Sequence, residues 1–176
     1  MILGISGTPG TGKTVVGKIV AERLGVPYID LSSLVKRKKL HSGMDKKRGS
    51  FVVSRQKLLK EFKRLKQLHE DLVVEGHFVE EVHPDTTVVL RCRPDVLEKR
   101  LKRREYPFRK IRENVLAEIL DVCSVNAGSS IEIETHNRSP KEAAKLVERI
   151  WQGKKPKLRQ VSYFSYLPAF LKKKHC

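Results

Sequence analysis

The sequence predicts an α/β protein built on a parallel sheet flanked by helices, and two observations carry that expectation. Short apolar runs alternate with helical segments over most of the chain, a pattern that calls for right-handed crossovers and a parallel sheet covered by helices. The first run leads into the first helix through GTPGTGKT, Gly7 to Thr14, which has the Gly-x-x-x-x-Gly-Lys-Thr spacing of a Walker A phosphate loop.

Ile2, Leu3 and Ile5 form the first buried strand. Gly7, Gly10 and Gly12 let the following backbone turn its N–H groups toward one polyphosphate. The helix beginning near Lys13 adds the partial positive charge of its N-terminus and presents Val15, Val16, Ile19, Val20 and Leu24 as an apolar face. Within the loop, Lys13 can reach the β and γ phosphates of a nucleoside triphosphate, and the Thr14 hydroxyl can ligate Mg²⁺.

Val26 to Ile29 reads as a second strand closed by Asp30, and Ser32 to Leu40 as a short helix with a basic outer face. The polar stretch around Gly43 and Gly49 reads as a mobile connection. Over residues 55–68, Leu58, Leu59, Phe62, Leu65 and Leu68 recur at helical spacing. DLVVE, Asp71 to Glu75, is a third strand, and Thr86 to Cys92 a fourth. Pro94 opens a helix through Val96, Leu97 and Leu101, which breaks at Tyr106 and Pro107. Residues 109–123 resume a helix, Ser130 to Thr135 alternates as a fifth strand, and Ser139 with Glu142 makes a capping box for the last helix.

Charge adds a second theme. The 176 residues carry 37 Lys plus Arg against 20 Asp plus Glu, a formal charge of +17. One triphosphate needs only a few cations, so such a surface favours a polyanion, with RNA the natural class. Between Lys36 and Lys66 the only acidic residues are Asp45 and Glu61. From Gly153 to Cys176 there is no acidic residue, and Tyr163, Phe164, Tyr166 and Phe170 lie between two basic clusters. That composition suits either stacking of single-stranded bases or packing of the aromatics on the domain. Cys92, Cys123 and Cys176 have no metal-ligand spacing and read as reduced thiols. No run approaches the length of a membrane-crossing helix and the N-terminus lacks a signal pattern, so a cytoplasmic, monomeric protein with no membrane partner is expected.

In an open parallel sheet, ligands bind beyond the carboxyl ends of the strands. Glu75 ends the third strand, where a carboxylate can hold Mg²⁺ through water, and His77 two residues on can orient an attacking water or a phosphate. Arg100, Arg103, Arg104, Arg109 and Arg112 flank the Tyr106-Pro107 break, the arrangement of a flap that closes cations on a transferring phosphoryl group. Arg104 stands nearest the break.

GTPGTGKT near the N-terminus, a basic insertion after the second strand, VVEGH after the third, and RLKRREYPFRKIRENVLAEIL together resemble adenylate kinase isoenzyme 6 and its archaeal relatives. The resemblance implies a nucleoside-monophosphate-kinase fold over residues 1–152, with a five-stranded parallel sheet in the order 2-3-1-4-5. The tail 153–176 lies outside the shared pattern. It also implies ATP binding by Gly10, Gly12, Lys13, Thr14 and Val15, a monophosphate-binding region from about Asp30 to Val53, a lid from about Arg103 to Ile111, and an ATP contact from Arg104. Glu75 and His77 stand where the family has an acid-x-His motif. AMP is the implied acceptor, and a platform protein and RNA of the small ribosomal subunit are the implied partners. EGHFVEE replaces the Asp-Gly-x-Pro-Arg stretch of ordinary adenylate kinases, which leaves two reactions open, transfer to AMP and ATP hydrolysis. Two further readings stand beside them: a kinase for another small acceptor, and an RNA-binding assembly factor that uses ATP only as a conformational ligand.

Overall fold

A computed structural model describes residues 1–45, 50–154, 156 and 160–172. Its centre is β1 (Ile2–Ser6), buried at every position. β1 pairs in parallel with β5 (Leu72–Glu75) on one side and β6 (Thr86–Arg91) on the other. β2 (Tyr28–Asp30) extends the sheet beside β5, and β7 (Ile131–Glu134) extends it beside β6. The order β2-β5-β1-β6-β7 is the expected 2-3-1-4-5 once only the parallel strands are counted. Register brings Ile5 opposite Glu75, and Asp30 opposite the same residue. The end of β1, the end of β2 and the end of β5 therefore meet at one edge.

Three apolar clusters hold the layers. α1 (Lys13–Leu24) and α7 (Pro140–Trp151) cover one face of the sheet, with Val16, Val20, Ala144 and Val147 against Leu3, Ile5, Val73 and Val88. α2 (Leu31–Arg37) and α3 (Arg55–Leu68) pack through Leu31, Leu34, Leu58 and Phe62 on Leu72 and Val74. α4 (Pro94–Lys102) and α5 (Phe108–Ile119) form the third cluster through Leu97, Leu101, Ile111, Val115 and Ile119. Each amphipathic stripe thus buries most of its apolar side and leaves most of its cations in water, although Val15 and Leu68, expected on the apolar faces of α1 and α3, stay exposed at 47% and 62%.

Three local features differ from the sequence expectation. Most of the stretch read as a mobile connection is an antiparallel hairpin, β3 (His41–Asp45) and β4 (Ser50–Val53), with a register shift between His41 and Gly43. The β-formers of SFVV and a stack of His41 on Phe51 at 4.3 Å stabilise it; Gly49 lies outside the described residues. The helix expected over residues 109–123 stops at Ile119, because Asp121 turns left-handed (φ 54°), and α6 (Val122–Ala127) starts anew. The tail residues described are docked: Tyr163 is buried, Tyr166, Leu167 and Phe170 pack on the α4–α5 cluster, and α8 (Leu167–Lys172) follows. Phe164 alone of the four aromatics is largely exposed. Lys155, Lys157, Arg159, Lys173, Lys174 and Cys176 lie outside the described residues. No helix among those described is long and apolar enough to cross a membrane.

Candidate active site

The phosphate loop leaves β1 at Ser6 and enters α1 at Lys13. Gly7 has φ 137°, and a Cβ there would come within 2.4 Å of the Leu90 carbonyl. Gly10 has φ 97°, and a Cβ would sit 2.8 Å from Leu97. Only glycine meets both the dihedral and the space at these points. Gly12 caps α1 with φ 103° and no side chain closes the first turn, so its N–H groups face the loop interior as an anion site. The Lys13 ammonium reaches back over this cradle, donating to the Gly7 carbonyl at 2.7 Å and the Thr8 carbonyl at 3.2 Å. Burial lowers its pKa, while Glu75 opposes that shift.

Around the cradle lies a cleft of about 210 Å³ lined by Gly10, Gly12, Lys13, Thr14, Val15, Asp30, Glu75, His77, Arg104 and Tyr106 among others. The Thr14 hydroxyl donates to Glu75 Oε1 at 3.0 Å. Glu75 Oε2 is buried with no hydrogen-bond partner. Loss of solvent raises the Glu75 pKa, and Lys13 and Thr14 pull it back. An unpartnered carboxylate oxygen beside a threonine hydroxyl, both hard oxygen donors, fits Mg²⁺ with most of its water retained. His77 lines the cleft beside Glu75 and Gly76. The atoms crowding its ring remove water, and Lys13 and Lys110 add positive charge, so its pKa lies below the ordinary value.

The flap arginines separate into different roles. Arg104 lines the cleft and a second one of about 140 Å³ that shares Gly10, Gly12 and Val15 and is closed by Thr135, Arg138 and Pro140. Arg100 is a strut, donating to the Thr135 carbonyl at 2.9 Å and its hydroxyl at 3.2 Å. Arg109 pairs with Glu113, and Arg112 stacks over Phe170 at 4.6 Å. Arg103 is exposed.

Sequence reasoning missed the support behind the loop. Thr8 donates to Glu118, and Glu118 accepts from Arg91 Nε and from the Cys92 N–H, both at 2.9 Å. Arg91 and Glu118 are each 1% exposed. Arg91 also meets Asp121, Glu132 and the Val161 carbonyl, and lies 5.2 Å from the Tyr163 ring. A single arginine inside TTVVLRC is the only trace of this cluster in the sequence. Ser32 and Tyr106 also line the cleft, beside Asp30, which the sequence places at a strand end.

A larger hollow of about 850 Å³ opens at the amino ends of β6 and β7, with Asp85, Asp121 and Glu132 in its wall. Asp121 and Glu132 there are taken by Arg91, Asp85 accepts from the Ile2 N–H, and no Lys or Arg stands among its described lining residues, whereas the smaller cleft combines a helix N-terminus, Lys13 and Arg104. The smaller cleft is therefore the candidate active site, built to hold a polyphosphate with a metal ion and to supply cations to a transferring phosphoryl group.

Comparison with known proteins bears on the family and the fold. Residues 3–121 match the family described as an AAA domain. A protein of Methanocaldococcus jannaschii named "Putative adenylate kinase" is 35% identical over 98% of this chain and all of its own length. One of the same name from Methanothermobacter thermautotrophicus is 37% identical over 85% of this chain and 88% of its own. Among solved structures, shikimate kinase from Bacteroides thetaiotaomicron superposes with a TM-score of 0.61 at 16% identity, covering 86% of this chain and 98% of the other. That last likeness is one of fold.

Proposed function

The chain belongs to the AAA domain family, in the branch of the archaeal relatives just described, and from that premise we propose that it is an adenylate kinase using Mg²⁺-ATP. In this reading it transfers the γ-phosphoryl group to AMP, and to water when a partner is engaged. The observation that carries the proposal is the Thr14 to Glu75 contact at 3.0 Å, at the edge where Lys13 spans the loop and Arg104 faces it.

Gly10, Gly12 and Val15 present backbone and the mouth of the cleft to ATP, and Lys13 and Arg104 balance the charge that spreads over the phosphoryl oxygens. Thr14 and Glu75 are the residues to hold Mg²⁺, which when bound neutralises phosphate charge and orients the chain of phosphates. An AMP phosphate needs no base to attack. Water does, and the lowered pKa of His77 keeps its ring neutral near pH 7, able to accept or align a proton. Residues 1–152 form the kinase unit in this reading, with about 30–53 as the acceptor region, about 103–111 as the lid and 153–176 as a basic C-terminal tail. A cytoplasmic monomer working on the small ribosomal subunit, with ribosomal RNA and a platform protein as partners, accords with the +17 charge.

One assay tests the reading: ADP formation from radiolabelled ATP with AMP, CMP, UMP or water as acceptor, with and without RNA. AMP should support transfer above the other acceptors, and Lys13→Ala should abolish turnover with the fold intact. ADP at background under every condition, or near-normal turnover in the Lys13 variant, would overturn it.

A further inference from the structure

The junction of α1, β2 and β5 holds a side chain that the reaction as written leaves idle. Tyr28 precedes Asp30 by two residues on β2, so both project from the same face of the sheet, as do Val73 and Glu75 across the pairing. The Tyr28 ring seats on α1 at Gly17, where an added Cβ would fall 2.9 Å from Tyr28 Cε2. This seat brings the phenol hydroxyl close enough to Glu75 and Thr14 for both to act on it electrostatically or as hydrogen-bonding neighbours. Yet the hydroxyl is buried with no hydrogen-bond partner of good geometry, and so is Glu75 Oε2.

Two buried oxygens without partners beside each other are exceptional, since nearly all such atoms are satisfied. A phenol can donate or accept, and a carboxylate oxygen accepts. A metal-bound water has two polarised O–H groups and meets both demands. We propose that Tyr28 is a positioning residue for the metal site: its hydroxyl and Glu75 Oε2 together take a metal-bound water, while Thr14 holds Glu75 Oε1. The proposal rests on the nucleotide and metal reading of the cleft given above. It also supplies what a glutamate at this place lacks. Glu75 has one more side-chain torsion than an aspartate, and a tyrosine seated on Gly17 with its hydroxyl near the carboxylate restricts that freedom.

ADP affinity measured calorimetrically in EDTA and in Mg²⁺ tests this. In the unaltered protein Mg²⁺ should tighten ADP binding. Tyr28→Phe should keep the affinity in EDTA but lose about tenfold in apparent Mg²⁺ affinity, the scale expected when a partner of a metal ligand is removed. Gly17→Ala, which keeps the hydroxyl but displaces the ring, should lose Mg²⁺ affinity in the same direction with EDTA binding unchanged. Full Mg²⁺ tightening in both variants would overturn the proposal, as would an equal loss of affinity with and without metal, which marks a purely structural role. ADP binding that ignores Mg²⁺ in the unaltered protein would instead overturn the metal reading of the cleft itself.

Discussion

Glu75 illustrates how a residue can serve a site at the expense of the fold. It is 4% exposed, one of its oxygens has no partner, and burial raises its pKa above the ordinary 4.5. As pH rises from the unfolded value through the higher folded one, the folded protein gives up a proton it holds more tightly than the unfolded chain does. Stability contributed at this residue therefore falls with rising pH across that window. Glu75→Gln should raise stability at pH 7 by about 1 kcal/mol, the scale of one unmet buried acceptor. The gain should vanish below pH 4.5, and metal-dependent turnover should be lost. Thermal melts of both proteins from pH 4 to 8 check the sign, and a gain that grows toward acid would refute it. Much of this site was legible beforehand, because the spacing from Gly7 to Thr14 and the position of Glu75 at a strand end follow local rules. Glu118 and Tyr28 were not legible. Their roles depend on which distant residue the fold places next to them, and a lone glutamate on a helix face carries no mark of the threonine it will meet.

At the scale of the element, the break between α4 and α5 is a five-residue turn whose strain sits at Glu105, left-handed at φ 54°. Arg104, which lines the cleft, precedes it. A left-handed backbone costs a non-glycine residue about 1 kcal/mol, so Glu105→Gly should stabilise the protein by up to that amount in urea unfolding. It should also raise KM for ATP by loosening the segment that aims Arg104. Lower stability, or unchanged KM, would show that the turn is neither strained nor a hinge. The break itself could be seen in Tyr106-Pro107, just as the last helix could be seen in its Ser139 and Glu142 capping box. The hairpin could not, since His41 to Asp45 is polar and glycine-containing and becomes a strand only by pairing with SFVV. Asp121 ended a helix for a comparable reason: it accepts from Arg91, a partner thirty residues away.

For the whole molecule, charge and topology each carry a consequence. Six of the described cations lie on α3, where Lys57, Lys60 and Lys63 are exposed on one arc and Arg55 and Lys57 lie in a first turn with no acidic residue. Cations there oppose the helix dipole and one another, a cost that a bound polyanion would reverse. Under the proposed partnership with RNA, replacing Lys57, Lys60 and Lys63 by Gln should weaken binding and reduce the slope of log affinity against log salt by roughly 2, at about 0.7 per phosphate on single strands. An unchanged slope in a filter-binding titration would place the RNA elsewhere. Deleting the tail is a poorer test, because the Val161 carbonyl and the Tyr163 ring contact Arg91 and their removal would injure the core. The central position of β1 matters in another way, during synthesis. ILGIS is made before its neighbours, which begin at Leu72 and Thr86. Thr8 must await Glu118, and the Thr11 carbonyl must await Thr135. The nascent chain therefore carries an apolar strand with both edges open until those partners are made, and the phosphate loop is completed only after residues well over a hundred positions downstream. A polypeptide terminated before residue 118 would not be a partly working enzyme but a substrate for chaperones and proteases.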